Sequence, residues 1–374
     1  KFTNFEYYKY ELKKFKYNIS ILDFSYANKK FVSNAWKSSR HPKAFAPKNV
    51  KSLLKFLRHI IKKRPIILNI NDEEMNLWTI LAKFIIKKNN LTEIVISEKS
   101  WVLPEKKNFR WLKKRIIEHR FNFKVYFFYI QFFLGKFILL ILKHNKEFIF
   151  SNTKTSNYYI NNYDYSNSLE SVKRKTKKKY IVFLDNGGPY FSADTERLGN
   201  ILPNRSIKKI YSDINNFFYN LEKIFKCKIV IIPHPKYKSS NKKIKSFNPY
   251  FKNFIVDNRP DAINILSNET IFFLSKGSSA SSYAAIFQKP IIFFYSSNHQ
   301  YGKNELEAIK DHAKILGTEA FNIENFCKKK LNKLLKFDKK KYKQYINQYV
   351  APNKKLRTKK NFFLISSFVK SIKN

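Results

Sequence analysis

Residues 271–294, IFFLSKGSSASSYAAIFQKPIIFF, decide how this chain is read. The apolar run from Ile271 to Leu274 passes into a Ser/Gly turn at 275–279. A small-residue segment able to form a helix follows, then Lys289-Pro290 and a second apolar run over 291–295. Short, continuous apolar runs bounded by turn residues fit buried parallel strands, so the stretch spells strand, loop, helix, strand. In an open α/β sheet such a loop lies at the carboxyl end of a strand, where these sheets bind ligands. Ser278 and Ser279 then stand at the start of a helix, where hydroxyls and free backbone N–H groups suit a phosphate. The plainer alternative is that they only cap that helix.

A second strand tip lies upstream. Residues 228–235, KIVIIPHP, form another buried-strand pattern that ends in His234-Pro235. Proline stops the ladder and leaves the histidine at the tip. Histidine can donate to a phosphate and, as the cation, stabilise a leaving group, because its ordinary pKa lies near neutrality. A structural histidine is the alternative, and His41-Pro42, which no strand precedes, shows how cheap the dipeptide is. A third tip follows the strand pattern 180–184, in the turn Asp185-Asn186-Gly187-Gly188-Pro189. Its glycines permit close backbone approach. The three loops are expected to converge on one ligand at one sheet edge, with Asp185, Gly187, Gly188, Pro235, Ser278 and Ser279 as candidates for holding it and His234 as a candidate for the chemistry.

The motifs that are absent narrow the class. There is no GxxxxGK[ST] and no GxGxxG, so neither a phosphate-loop NTPase nor an ordinary dehydrogenase is supported. There is no Asp-x-Asp pair either, so a phosphate held by dipoles, hydroxyls and cations is expected, with no metal and no cofactor.

Strand and helix patterns alternate along the chain, which indicates α/β units with parallel sheets. In the first half, strands are expected at 17–24, 65–70, 93–97 and 147–150, and helices at 49–63, 74–88 and within 108–143. Residues 151–179, rich in Asn, Ser, Tyr and Lys and ending in KRKTKKK, read as a linker or solvated loop. The second half offers strands at 180–184, 228–232, 255–256, 271–274 and 291–295, with helices at 212–225, 305–316, 325–349 and 360–372. The expected domains are 1–165, 166–350 and a C-terminal helical segment, 351–374, free to pack back on the first domain.

Lys and Arg number 74 against 27 Asp and Glu, a net charge of +47. A field of that size draws polyanions: nucleic acid, anionic lipid or an acidic polysaccharide. Aromatic residues make up 17% of the chain, yet no nucleic-acid-binding module is apparent, and nucleic acid is not the expected partner. Cys227 and Cys327 are the only cysteines and lack metal or disulfide spacing, which fits a reducing compartment. No signal-peptide pattern is read at the N-terminus. Residues 125–142, VYFFYIQFFLGKFILLIL, approach membrane-span length but contain Gln131 and Lys136. They read as an interfacial or groove helix, or equally a core helix.

His-Pro after a strand and a Ser-Ser pair about 45 positions later, between two α/β halves, resemble bacterial GT-B glycosyltransferases of surface polysaccharides. The nearest pattern is that of the CMP-sugar users, the sialyltransferases and polysialyltransferases, with the Kdo transferases of capsule synthesis. YIVFLDNGGPYFSAD and the preceding NNYDYSNSLE also look like a group of capsule or lipopolysaccharide synthesis proteins. The resemblance covers roughly residues 145–300. It implies two Rossmann-like domains facing a cleft and an inverting, metal-independent transfer from a CMP-activated sialic acid or Kdo-like sugar. The acceptor would be an anionic glycan or glycolipid, with the enzyme cytoplasmic and peripheral to an anionic membrane. It also implies that His234 contacts the CMP phosphate, Pro235 shapes the loop, and Ser278 and Ser279 bind the phosphate.

The family's general base lies in an acidic-acidic-Gly motif of the first domain, which this chain lacks. Asp72-Glu73-Glu74 precedes Met75, and Glu98 precedes Lys99. Glu98 is the better candidate, because Asp72 to Glu74 suit the first turn of a helix. A glycerol- or ribitol-phosphate polymerase on the same fold, or a basic nucleic-acid-binding protein, are the rival readings.

Overall fold

The computed structural model describes residue 45, residues 49–69, 77–97, six positions within 130–141, and residues 145–152, 158–169, 178–187, 206–234, 249–259, 261–299 and 305–373. The expected strand at 17–24, Asp72 to Glu74 and most of 108–143 lie outside them. The chain is α/β with two parallel sheets, the class expected of a GT-B-like protein. It divides into two units, one running up to Asn161 and resuming at Lys359, the other Asn162–Thr358.

In the first unit, helix α1 (Val50–Ile61) starts on Asn49, whose side chain accepts the Ser52 amide while Ser52 Oγ accepts the Asn49 amide. That reciprocal cap satisfies two of the amides a helix start leaves open. Strand β1 (Ile67–Asn69), helix α2 (Leu77–Lys88), β2 (Glu93–Ser97), β3 (Glu147–Ser151) and β4 (Tyr158–Tyr159) follow. The sheet order is β1-β2-β3-β4, all parallel. β3 therefore sits inside the sheet. At the amino edge, buried Lys83 lies 3.6 Å from Glu93 and 3.7 Å from Glu147, and Asn69 donates to Glu93 at 3.0 Å. These acids are occupied structurally, at the edge opposite the one where parallel sheets bind ligands.

One face of this sheet is covered by the last helix of the chain, which begins at Asn361. Ile365 and Val369 pack with Ile94, Ile96, Phe150 and Ile160, and the Phe368 ring lies 4.8 Å from Phe148, 5.1 Å from Phe150 and 4.8 Å from Tyr158. Asn161 and Asn361 tie the two places where the chain leaves and re-enters the unit. The Asn161 amide donates to Asn361 Oδ1 at 2.8 Å, and Asn361 Nδ2 donates to the Asn161 carbonyl at 2.6 Å.

Residues 151–179 are not the linker or solvated loop that their composition suggests. Within them, β4 and helix α3 (Tyr163–Ser168) are ordered elements, and Asn152, Asn161, Asn162 and Ser166 are buried. Polar side chains fill this interior because hydrogen bonds satisfy them; Asn162, for instance, caps α3 by accepting the Asp164 amide at 2.8 Å.

The second unit contains β5 (Tyr180–Leu184), α4 (Ile207–Phe225), β6 (Lys228–Ile232), β7 (Ile255–Val256), α5 (Ala262–Leu266), β8 (Thr270–Ser275), α6 (Ser282–Ile286), β9 (Ile291–Tyr295), α7 (Glu305–Ile315), β10 (Ala320–Asn322), α8 (Lys328–Leu334) and α9 (Lys339–Tyr345). The final helix, α10 (Asn361–Lys373), is the one already placed on the first sheet. The single helix expected over 325–349 is broken at Asp338, whose carboxylate takes the Lys340 and Lys341 amides and starts α9.

The second sheet runs β10-β9-β8-β5-β6-β7, parallel throughout. Counted from its first strand, this is the doubly wound order 3-2-1-4-5-6. Alternate residues of β5 feed two cores. Ile181 and Phe183 pack with Ile214, Phe217, Phe218 and Leu221 of α4, while Val182 and Leu184 pack with Tyr283, Ala284 and Ile309. Burial on both faces is why these strands are uninterrupted apolar runs.

Candidate functional site

The chain builds the second sheet outward from β5, first through β6 to β7 and then from β8 through β9 to β10. β5 and β8 are neighbours, so the order reverses between them and opens a crevice beyond their carboxyl ends. Two of the predicted loops meet there. After β5, Asp185 Oδ1 accepts the Gly187 amide at 2.9 Å, and Gly187 takes φ +74°. The buried Asp185 carboxylate thus shapes its own turn. Asn186 Nδ2 then donates to the Lys276 carbonyl at 3.1 Å, joining this turn to the loop after β8.

Serine hydroxyls organise the β8 loop from within. Ser275 Oγ accepts the amides of Gly277 and Ser278, each at 3.1 Å, and lies 3.2 Å from Ser281 Oγ. Gly277 has φ +83°, a left-handed conformation strained for any residue with a Cβ. Ser278 Oγ accepts the Ala280 amide at 3.3 Å. Ser279 opens the single 3₁₀ turn Ser279–Ser281 that leads into α6.

α6 is only five residues long, and the Gly277 and Ser278 amides already serve Ser275. The positive charge at this loop comes instead from Lys276, a buried lysine between β8 and Gly277. Behind the loop, Ser282 Oγ donates to the half-buried Asp164. Burial pushes the Asp164 carboxyl up to about 6 even though the hydroxyls of Ser282 and Tyr283 work against the rise. This contact anchors the start of α6 to α3.

His234 follows β6 at the same edge and is half-buried. β6 and β8 flank β5, so with adjacent strands about 4.8 Å apart their tips are about 10 Å apart. A ligand lying over the Asp185–Gly187 turn is within side-chain reach of both tips. Of the predicted residues, Asp185, Gly187, His234, Ser278 and Ser279 thus share one sheet edge. Glu98, Gly188 and Pro235 lie outside the described residues.

Lys276 and the group beyond β9 were missed by the sequence reading. In that group Asp213 on α4 lies 3.1 Å from Nε2 of His299. The only sequence signal for Lys276 is a cation directly after a buried strand. Among the described residues, no cluster of His, Cys, Asp and Glu could hold a metal ion.

No protein-family model matches the chain, and no curated protein matches it. Among solved structures, the S. aureus MnaA–UDP co-structure aligns at 14% identity over 92% of this chain and 88% of that one, with a TM-score of 0.43. A putative UDP-N-acetylglucosamine 2-epimerase from Listeria monocytogenes aligns at 10% identity over 90% and 85%, TM-score 0.42. MurG of Acinetobacter baumannii aligns at 8% identity over 85% and 78%, TM-score 0.37.

Proposed function

We propose that this chain is a glycosyltransferase that takes a sugar from a nucleotide donor, best a CMP-activated sialic acid or Kdo-like sugar, and passes it to a bacterial surface glycan. The observation that carries the reading is the switch-point crevice. There the Asp185–Gly187 turn and the loop holding Lys276 and Ser278 are joined by a hydrogen bond, beside the tip that bears His234. In this reading the donor phosphate lies against Lys276 and the serine hydroxyls. His234 stabilises it as the anomeric C–O bond breaks, and an acceptor hydroxyl attacks from the opposite side of the sugar. Glu98 is the proposed base.

CMP is expected to raise the melting temperature, since a ligand that binds only the folded state adds RT ln(1 + [L]/Kd) of stability. That amounts to about 2.7 kcal/mol at a hundredfold excess over Kd. A thermal-shift series with CMP, UDP and GDP checks it. Stabilisation by UDP or GDP but not by CMP overturns the donor assignment and leaves the nucleotide site standing.

The acceptor is proposed to lie at an anionic membrane surface. Ile130, Leu134, Phe137 and Ile141 recur at helical spacing and all are exposed, as is Leu140 at 75%. Lys87 donates its ammonium to the Ile141 carbonyl at 2.6 Å. Among the described residues no helix is long and apolar enough to cross a membrane. An apolar stripe on a +47 chain supplies the two signals that stable peripheral binding needs. Flotation should show capture by vesicles containing phosphatidylserine, lost as salt rises. Equal capture by neutral vesicles removes the electrostatic part, and tighter binding to tRNA than to vesicles, without transfer activity, favours a nucleic-acid partner.

A further inference from the structure

His299 stands four residues past the end of β9, in a turn fixed at several points. Glu324, just after β10, accepts from Ser296 Oγ, from the Ser297 amide at 2.8 Å and from Ser297 Oγ at 3.1 Å, while Asn322 donates to Ser297 Oγ at 3.0 Å. A turn tied in this way presents its last side chain in one orientation. The His299 side chain is 3% exposed, with Nε2 3.1 Å from Asp213 Oδ2 on α4. A carboxylate only accepts, so in the neutral ring Nε2 carries the hydrogen and Nδ1 is the nitrogen able to take a proton.

β9 adjoins β8, which places this ring beside the phosphate loop on the side away from β5. The charged groups facing it are Lys276 from the β8 loop, Asp213 from α4 and Glu324 from the turn after β10. Burial first, and the Lys276 ammonium second, hold the imidazole below its ordinary range, against the pull of Asp213 and Glu324. With no anion against Lys276, burial and that buried cation therefore favour the neutral imidazole. An anion seated against Lys276 offsets that cation's field and favours the imidazolium.

We propose that His299, oriented by Asp213, is the proton-linked element of the phosphate site. A phosphate that seats on the β8 loop beside Lys276 brings about one proton from solvent onto His299. This rests on the nucleotide-phosphate reading above and adds its regulation by pH. The ring takes up one proton, so affinity for an anion that does not itself titrate falls as pH rises, by up to about tenfold per pH unit between the ring's unbound and bound pKa values. The second imidazole at the donor phosphate is then charged only when the phosphate is present.

Calorimetric titration with CMP at pH 7, in two buffers of different ionisation enthalpy, counts the protons taken up. Uptake of a large fraction of a proton is expected for the wild type, with most of it lost in His299→Gln and a reduced value in Asp213→Asn. Because a buried substitution can impair folding, ring NMR of wild-type His299 during titration with CMP and with inorganic sulfate is the second measurement. Sulfate does not itself titrate in this range, and both anions should move the ring towards imidazolium. CMP bound without proton uptake, or uptake unchanged in a folded His299→Gln variant, overturns the inference and leaves the phosphate reading intact. If neither CMP nor sulfate binds, that reading fails and the inference fails with it.

Discussion

Replacing His234 by alanine should lower sugar transfer by roughly 10²–10⁴, the range for a positioned acid or a hydrogen-bond donor to developing charge. The size of the effect follows from where charge appears. The departing phosphate gains negative charge only as the bond to the sugar breaks, so a group acting there is felt in turnover more than in binding. Ser278→Ala combined with Ser279→Ala should instead weaken donor binding more than turnover, because the proposed hydroxyl contacts to the phosphate would be made already in the ground state. Both variants should melt near the wild type, since His234 and the serine pair stand on strand-end loops rather than in either core. Transfer rates, donor Kd and melting curves separate the cases. Transfer unchanged in His234→Ala, or loss of folding in that variant, makes His234 structural and moves the site elsewhere.

The largest stability effect is expected at Phe218. Its ring is fully buried, with centroids 5.0 Å from Phe183, 5.5 Å from Phe254, 5.9 Å from Phe294 and 6.0 Å from Phe251. These neighbours come from β5, β9 and the segment before β7, so they cannot close the gap together. Phe218→Ala should cost about 3–5 kcal/mol, from lost apolar burial plus the cavity left behind. For a unit of this size that is roughly 6–20 °C in melting temperature. Phe84→Ala, at a half-exposed ring, should stay within about 1 kcal/mol. Calorimetry of both variants checks the contrast, and equal melting shifts would mean that α4 does not pack on the sheet as described.

The second sheet was legible in the sequence because its inner strands are buried on both faces and so appear as unbroken apolar runs. Strands 180–184, 228–232, 255–256 and 291–295 match β5, β6, β7 and β9. Segment 158–169 was not legible, because Asn161, Asn162 and Ser166 are buried while hydrogen-bonded, and hydropathy counts them as surface. β10, at three residues, and α5, at five, are too short to show a period.

The site divides along the same line. Strand-tip loops announce themselves by turn residues after an apolar run, which is how His234 and the serine loop were found. The His299–Asp213 pair joins positions 86 residues apart, and the burial of Lys276 depends on what surrounds its loop. Neither leaves a local pattern.

The covering of the first sheet by α10 also fixes an order of events during synthesis. When residue 358 has left the ribosome the second unit has its whole sequence, and it can fold while still tethered. The first unit began earlier, yet it lacks Ile365, Phe368 and Val369, which close the face over Phe148, Phe150 and Tyr158. The half made first is therefore completed last, and until residues 361–373 emerge it shows an aromatic sheet face to the cell. Nascent chains stalled short of 361 should accordingly be the species that chaperones hold, a burden that follows from the chain's return to its starting unit.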